Sequence, residues 1–504
     1  MGCPAQIRAA AFFVATLLWV GAARGSEHPQ YGGVLRVELR ASSVVMNPQK
    51  WKAGAPDFAS NERLAALVFD RLVALDNYGR FQPQLATEWT HDAAAKRWQF
   101  VLRAGVRFSD GTLLTAADVV AALGPLLPPR GMQISASPGG VAIQSASAAN
   151  DLLEMLSSGP YFVYKDDGAG GLLGTGPFVP ESAGGSAAVE GKNIADAAGS
   201  AVGQRLRFRS NENCWSGRPF LDGIVVSLGV PPLKALLDSQ LGKADVAELS
   251  EDTARRAGQS NIKLWTSAPM TLFALKFIAP AKSENERTLR EALQLAIDRN
   301  AMARVLLQRQ AEPAASFLPQ WLSGYAFLFE MESNLELAKQ KRGKLPANAI
   351  GAAQPLRVGL DSGNELAKLI SERVAVNARA AGLTLQVVAK AKGNAGSDGA
   401  NGKADVDAQL VVWRYAVLSP RGELESFANA MHWEIPEGGV PEEADERYAW
   451  EKRMMDEMNV LALVAVPDFA ALDGRVRNWS PAPWGEWRLA DVWIDAGEKA
   501  GAKL

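Results

Sequence analysis

Cysteine and histidine are scarce in this chain of 504 residues, with two of the first and three of the second. His28, His91 and His432 stand far apart, with no H-E-x-x-H pair and no cysteine cluster, so the local signatures of a zinc site are missing. Charge of one sign is lacking too: 53 Lys and Arg against 55 Asp and Glu leave a net charge of −2, with no block of like residues. That argues against a nucleic-acid binder, which needs a basic stripe, and against a basic membrane-surface helix. Beyond the first residues, no apolar run approaches the roughly 20 residues of a membrane span.

The one long apolar run, Ala9 to Val20, follows Arg8 and precedes the small residues Ala23 and Gly25. A positive start, a short apolar middle and a small-residue end predict a secretory signal peptide over residues 1–25, against the alternative of a buried N-terminal helix. The mature chain then begins near Ser26, outside the cytoplasm, and Cys3 departs with the leader. Cys3 also precedes the apolar run, the wrong side for lipid attachment. A lone Cys214 can form no intrachain disulfide, so burial must hold the fold. The chain exceeds one ordinary domain of roughly 100 to 200 residues, and 48% hydrophobic residues suffice for more than one core.

The most informative stretch runs from Leu85 to Val119. Trp98, Phe100 and Leu102 alternate with Gln99, Val101 and Arg103, the pattern of a strand. Asp110-Gly111 signals a turn. Thr115 stands three residues before Asp118, a capping-box spacing at the start of an apolar helical run that Gly124-Pro125 ends.

In order and register, Leu85-Ala86-x-x-Trp89, Phe100-x-Leu102-Arg103 through Phe108-x-Asp110-Gly111, and Ala116-x-Asp118-Val119 resemble the signature of the family 5 extracellular solute-binding proteins. These are the oligopeptide, dipeptide and nickel binders of ABC importers. Other segments resemble the same family. Gly32-Gly33-Val34-Leu35-Arg36-Val37 is similar to its opening strand, and Asp76-Asn77-Tyr78-Gly79 to a turn reached through Phe69 to Val73, where Arg71 replaces the usual glycine. Gly174-Thr175-Gly176-Pro177-Phe178 also matches; a phosphate loop would require a lysine and a Ser/Thr that are absent here. In Asn211 to Ile224, Cys214 takes an aromatic position and reads as a buried structural thiol rather than a nucleophile. Leu289 to Arg299 carries the best helical stripe of the chain and is similar to another family segment, with Asp298 and Asn300 placed to cap the following helix at Met302 to Leu307.

The pattern predicts helices over Leu64–Leu75, Asp151–Leu156, Glu365–Ala380 and Ala444–Leu461, and strands at Leu272–Phe277, Leu356–Leu360, Leu383–Val388 and Gln409–Trp413. The strand, helix, strand unit from Leu356 to Val388 implies a parallel pair with a right-handed crossover. Pro125 to Gly170 carries little regular signal beyond its helix and reads as a trimmed second domain. Residues 181–203 and 390–405, rich in Gly and Ala, read as flexible excursions.

The resemblance implies an α/β, two-lobed fold of the periplasmic-binding-protein type II, with an extra subdomain in the first lobe. Lobe 1 is expected over 26–60, 176–271 and 470–504, its subdomain over 61–175, and lobe 2 over 272–469. No catalytic constellation appears; Gly396-Ser397-Asp398-Gly399 lacks the spacing of a nucleophile elbow. The expected function is capture of a peptide or similar small solute between the lobes and delivery to an ABC-type membrane permease. Cofactor, metal and nucleic acid are not expected, and the chain is expected to be a monomer in the periplasm. The alternative is a non-transport sensor or scaffold on the same fold.

Tryptophan gathers toward the end of the chain, and most of these rings are expected in the core. Trp413 is the exception, ending a strand and resembling the tryptophan of the family's W-x-x-D-Y-x-D-P cleft segment. The expected ligand contacts are Trp413, Arg414, Tyr415 and Ser419. At the two aspartate positions stand Ala416 and Ser419. In peptide binders the resemblance assigns the first aspartate to the ligand's ammonium, whose desolvation a carboxylate offsets; without it, capture of a free N-terminus by that contact is not expected. Arg414 reads either as a bidentate partner for a carboxylate or phosphate or, more commonly for such a residue, as a solvated strand end. His432 as a metal or metallophore contact is a weaker reading.

Overall fold

The computed structural model describes residues 28–168, 170–181, 204–260, 262–330, 332–351, 353–390 and 406–495. The expected leader, most of both expected excursions and the Gly396–Gly399 run lie outside them.

An eleven-stranded mixed sheet forms the frame. In one wing, Val34–Glu38 pairs in parallel with Gly223–Ser227 and Val246–Leu249, and Arg205–Ser210 and Phe178–Glu181 extend the edge antiparallel. In the other, Leu356–Asp361 pairs in parallel with Leu385–Lys390 and Ala408–Arg414. The predicted crossover helix spans Glu365–Ala380, its start fixed by Asn364, whose side chain accepts from Ala367 N at 2.9 Å.

Two long antiparallel strands, Lys263–Phe277 and Val460–Leu472, connect the wings. One end pairs with Val246–Leu249 of the first wing and the other with Ala408–Arg414 of the second. Between the ends the register shifts three times, once between Phe273 and Ala274 and on either side of Pro269, which stands opposite Pro467. Proline has no N–H to donate, so two facing prolines interrupt the ladder where the wings meet. The sequence showed only the apolar end of the first strand, because Lys263 to Ser267 is largely polar.

A separate four-stranded antiparallel sheet, ordered Ala86–His91, Arg97–Leu102, Gly140–Ser145 and Met132–Ser137, builds the subdomain. Its second hairpin corrects the expectation of little structure between Pro125 and Gly170. Gln, Ser and Ala dilute the alternation, and pairing with Arg97–Leu102 supplies what local pattern does not. The capping box forms as read: Asp118 N donates to Thr115 Oγ1 at 3.3 Å and Thr115 N to Asp118 Oδ2 at 2.8 Å. Two boundaries move. The helix expected over Leu64–Leu75 is Phe58–Val68, with Val73–Leu75 a strand; the one expected over Ala444–Leu461 ends at Asp456, and Val460 opens a strand.

The first wing and the subdomain share one core, containing Leu35, Phe69, Phe100, Phe178 and Ile224. A second gathers Phe273, Leu293, Ile370 and Leu463, and a third Trp413, Phe317, Phe427 and Trp450. Among the described residues no helix is long and apolar enough to cross a membrane.

Candidate ligand-binding cleft

Charged residues from both wings meet beside the interrupted ladder. Asp468 follows Pro467 on a crossing strand. Arg414, at the end of Ala408–Arg414, donates from Nη1 to its Oδ1 at 2.6 Å. Arg63, from the helix Phe58–Val68, donates from Nη2 to its Oδ2 at 2.5 Å and from Nη1 to Glu248 Oε1 at 3.0 Å. Nε of Arg63 reaches the Gly485 carbonyl at 3.2 Å, and its guanidinium lies 4.4 Å from the Trp487 ring centre. Burial alone would push the Asp468 carboxyl up, but the two guanidiniums outweigh it and hold the group below the usual aspartate range.

The other expected contacts cluster beside this pair. Trp413 Nε1 donates to Glu423 Oε1 at 2.7 Å, and Ala416 N and Val417 N donate to Glu423 Oε2 at 2.9 and 2.8 Å. Burial raises the Glu423 carboxyl against the pull of those three donors. Tyr415 Oη donates to the Phe317 carbonyl at 2.9 Å, and burial drives its phenol well above the ordinary value. Ser419 caps the helix Pro420–Met431, accepting from Gly422 N at 2.8 Å, and hydrogen-bonds the Asp151 carboxylate. The four residues picked from sequence therefore do converge. All four are buried, and each side chain has a partner within the protein.

Arg414 is not a solvated strand end: it is buried and meets a carboxylate of its own chain. Ala416, where an aspartate was looked for, joins the core of the first wing and subdomain together with Val417. Of the other residues singled out, Cys214 is a buried thiol raised by its burial, 3.2 Å from Ser216 Oγ. His432 is exposed and ends the helix Pro420–Met431 in a left-handed conformation at φ 60°.

Sequence reasoning missed Arg63, Asp468 and Glu423. Two left a trace: Arg63 is a lone cation in an apolar helix and Asp468 a lone carboxylate in the apolar run Val460 to Leu472, and an isolated charge in a core-facing element needs a partner. Glu423 left none, since a glutamate in a first helical turn ordinarily faces solvent and the helix N-terminus.

The site holds paired charges and donors that are satisfied within the protein. Among the described residues no group of three or more His, Cys, Asp and Glu side chains could hold a metal ion.

The profile of the bacterial extracellular solute-binding proteins, family 5 middle, matches residues 80–433. The chain belongs to this family. Protein XP55 of Streptomyces lividans is 25% identical over 268 residues, 50% of this chain and 47% of that relative, so the chain spans about half the length of that curated relative. Among solved structures, the Escherichia coli murein tripeptide binding protein MppA superposes with TM-score 0.74 at 16% identity, covering 93% of this chain and 99% of that one. The Bacillus subtilis oligopeptide-binding protein AppA, solved with a nonapeptide, gives TM-score 0.73 at 15% identity, covering 93% and 100%. The fold is thus the two-lobed α/β fold of family 5, and family and fold are those of binding proteins.

Proposed function

We propose that this family member is a periplasmic receptor that encloses a peptide or similar small solute between its lobes and presents it to an ABC-type import permease. The observation that carries the reading is the meeting of Arg63 from one wing and Arg414 from the other on Asp468, at the point where facing prolines interrupt the connecting strands. A solute touching both lobes binds the closed form better and shifts the population toward it. We take the lobes as lobe 1 over 26–60, 176–271 and 470–504, its subdomain over 61–175, and lobe 2 over 272–469, with residues 1–25 a signal peptide and the mature chain a monomer. Trp413, Arg414, Tyr415 and Ser419 form the second lobe's wall. MppA, a murein tripeptide binding protein, and AppA, an oligopeptide-binding protein, support a peptide-like solute. The loop itself does not favour a free ammonium, since its one carboxylate, Glu423, is taken by Trp413, Ala416 and Val417.

A thermal-shift screen of di-, tri- and oligopeptides tests this. A ligand at 100 times its Kd should stabilise the fold by about 2.7 kcal/mol, and absence of any shift across the set counts against a peptide receptor. The internal satisfaction of all four expected contact residues favours a second reading, a sensor or scaffold that works through a protein partner. A stable partner in pull-down from the host, with no solute shift, would decide for it.

A further inference from the structure

The subdomain grips the second lobe directly. Arg130, just ahead of the strand Met132–Ser137, donates from Nη1 to Glu425 Oε2 at 2.9 Å and from Nη2 to the Gly422 carbonyl and Ser426 Oγ, both at 3.1 Å. All three partners lie in the first turns of Pro420–Met431. Asp151 bonds the cap of the same helix, Ser419. Leu418 N donates to Ser158 Oγ at 2.9 Å, and Asn150 N to Glu442 Oε1 at 3.1 Å. Around these bonds the contact is apolar: Ala416 and Val417 lie in the core of the subdomain, and a Cβ on Gly159 would already stand 3.4 Å from the Ala416 carbonyl oxygen.

Three departures from the family's sequence words fall at this one contact. Arg71, in place of a glycine, donates from Nη2 to the Gly159 carbonyl at 2.8 Å and to Glu62 Oε1 at 2.6 Å, so it pins the turn that receives the loop. Ala416 replaces a carboxylate with a methyl group that packs there. Ser419 replaces another with a hydroxyl that bonds Asp151, where two carboxylates would repel.

We propose that the subdomain is a clasp: Arg130 and Asp151 hold the second lobe shut when no solute is present. The proposal rests on the receptor reading for its functional meaning, while its geometry is testable without any solute. Charge-assisted bonds at a buried contact are the strong kind, and here they supply from within the protein the contacts to both lobes that closure otherwise takes from a ligand. A solute then enters only when the clasp opens, so its apparent affinity is reduced by the fraction of molecules open at any time.

The test is amide hydrogen exchange on the full mature chain, unfolded and refolded to strip any solute, read at Leu418 and along the helix Ala444–Asp456. In the wild type the Leu418 amide is protected. In Arg130→Met and Glu425→Gln it exchanges about tenfold faster or more, since a charge-assisted bond is lost, while the helix keeps its protection because the second lobe stays folded. Should Arg130→Met fail to fold, the near-isosteric Glu425→Gln carries the test. An unprotected Leu418 in the wild type, or no acceleration in the variants, overturns the clasp. A protected Leu418 in a protein that binds no solute keeps the clasp and ends the receptor reading; solute binding with an unprotected Leu418 does the reverse.

Discussion

Arg414 and Asp468 sit 2.6 Å apart, one at the end of a strand in the second wing and the other on the strand that joins the wings. Removing one partner of a buried pair leaves a charge without compensation, at a cost of about 3–5 kcal/mol. Asp468→Asn should cost more than Arg414→Met, because it deprives both Arg414 and Arg63 of their shared acceptor, whereas Arg414→Met leaves Asp468 with Arg63. Urea midpoints of the two variants check the order, and a reversed order would show that Arg63 relies on Glu248 instead.

Gly54 and Gly79 have nearly the same backbone, φ 72° and 75°, and different surroundings. A Cβ at Gly54 would lie 2.1 Å from the Trp413 ring, while one at Gly79 meets nothing within 4 Å. Gly79→Ala should therefore cost only the left-handed penalty of about 1–2 kcal/mol, and Gly54→Ala a further ~1–3 kcal/mol for overpacking. Because Gly54 also accepts from Arg414 N at 3.1 Å, its substitution should disturb the tryptophan fluorescence as well as the melting temperature.

Glu451 is fully buried, accepting from Phe317 N at 2.7 Å and Tyr325 Oη at 2.8 Å, and burial pushes its carboxyl up to about 7. The folded state therefore holds a proton that the unfolded state, with an ordinary carboxyl near 4.5, has released. Between those values stability falls as pH rises, and above about 7 the loss is complete, amounting to roughly 3 kcal/mol. Glu451→Gln should flatten that part of the stability curve measured by denaturation from pH 4.5 to 8. An unchanged slope would show that Glu451 is charged in the fold.

Thr115→Ala should cost about 1 kcal/mol through loss of the capping box, read as a lower melting temperature, and Thr115→Ser should restore most of it.

Much of the frame was legible because its signals are local. Alternation marked the strand Arg97–Leu102, the strand Ala408–Arg414 was expected over Gln409–Trp413, and the helical spacing from Glu365 to Ala380 marked a helix that the structure reproduces to the residue. The hairpin Met132–Ser145 was not legible, since its strands are specified by the neighbour they pair with. The apolar spacing that begins at Leu64 does not distinguish the helix ending at Val68 from the strand beginning at Val73. Trp413, Arg414, Tyr415 and Ser419 were found by resemblance. Their partners Glu423, Asp468, Phe317 and Asp151 were not, because three of the four are far away in sequence and no periodicity links residue 151 to 419 or 317 to 415.

Native mass spectrometry of the protein, purified from its host without denaturation, addresses the central claim most directly. The account predicts a fraction carrying one small co-purifying solute at one-to-one stoichiometry, released on unfolding and lost in Arg414→Met. A spectrum of the bare chain alone, unchanged on titration with peptide mixtures, would contradict it.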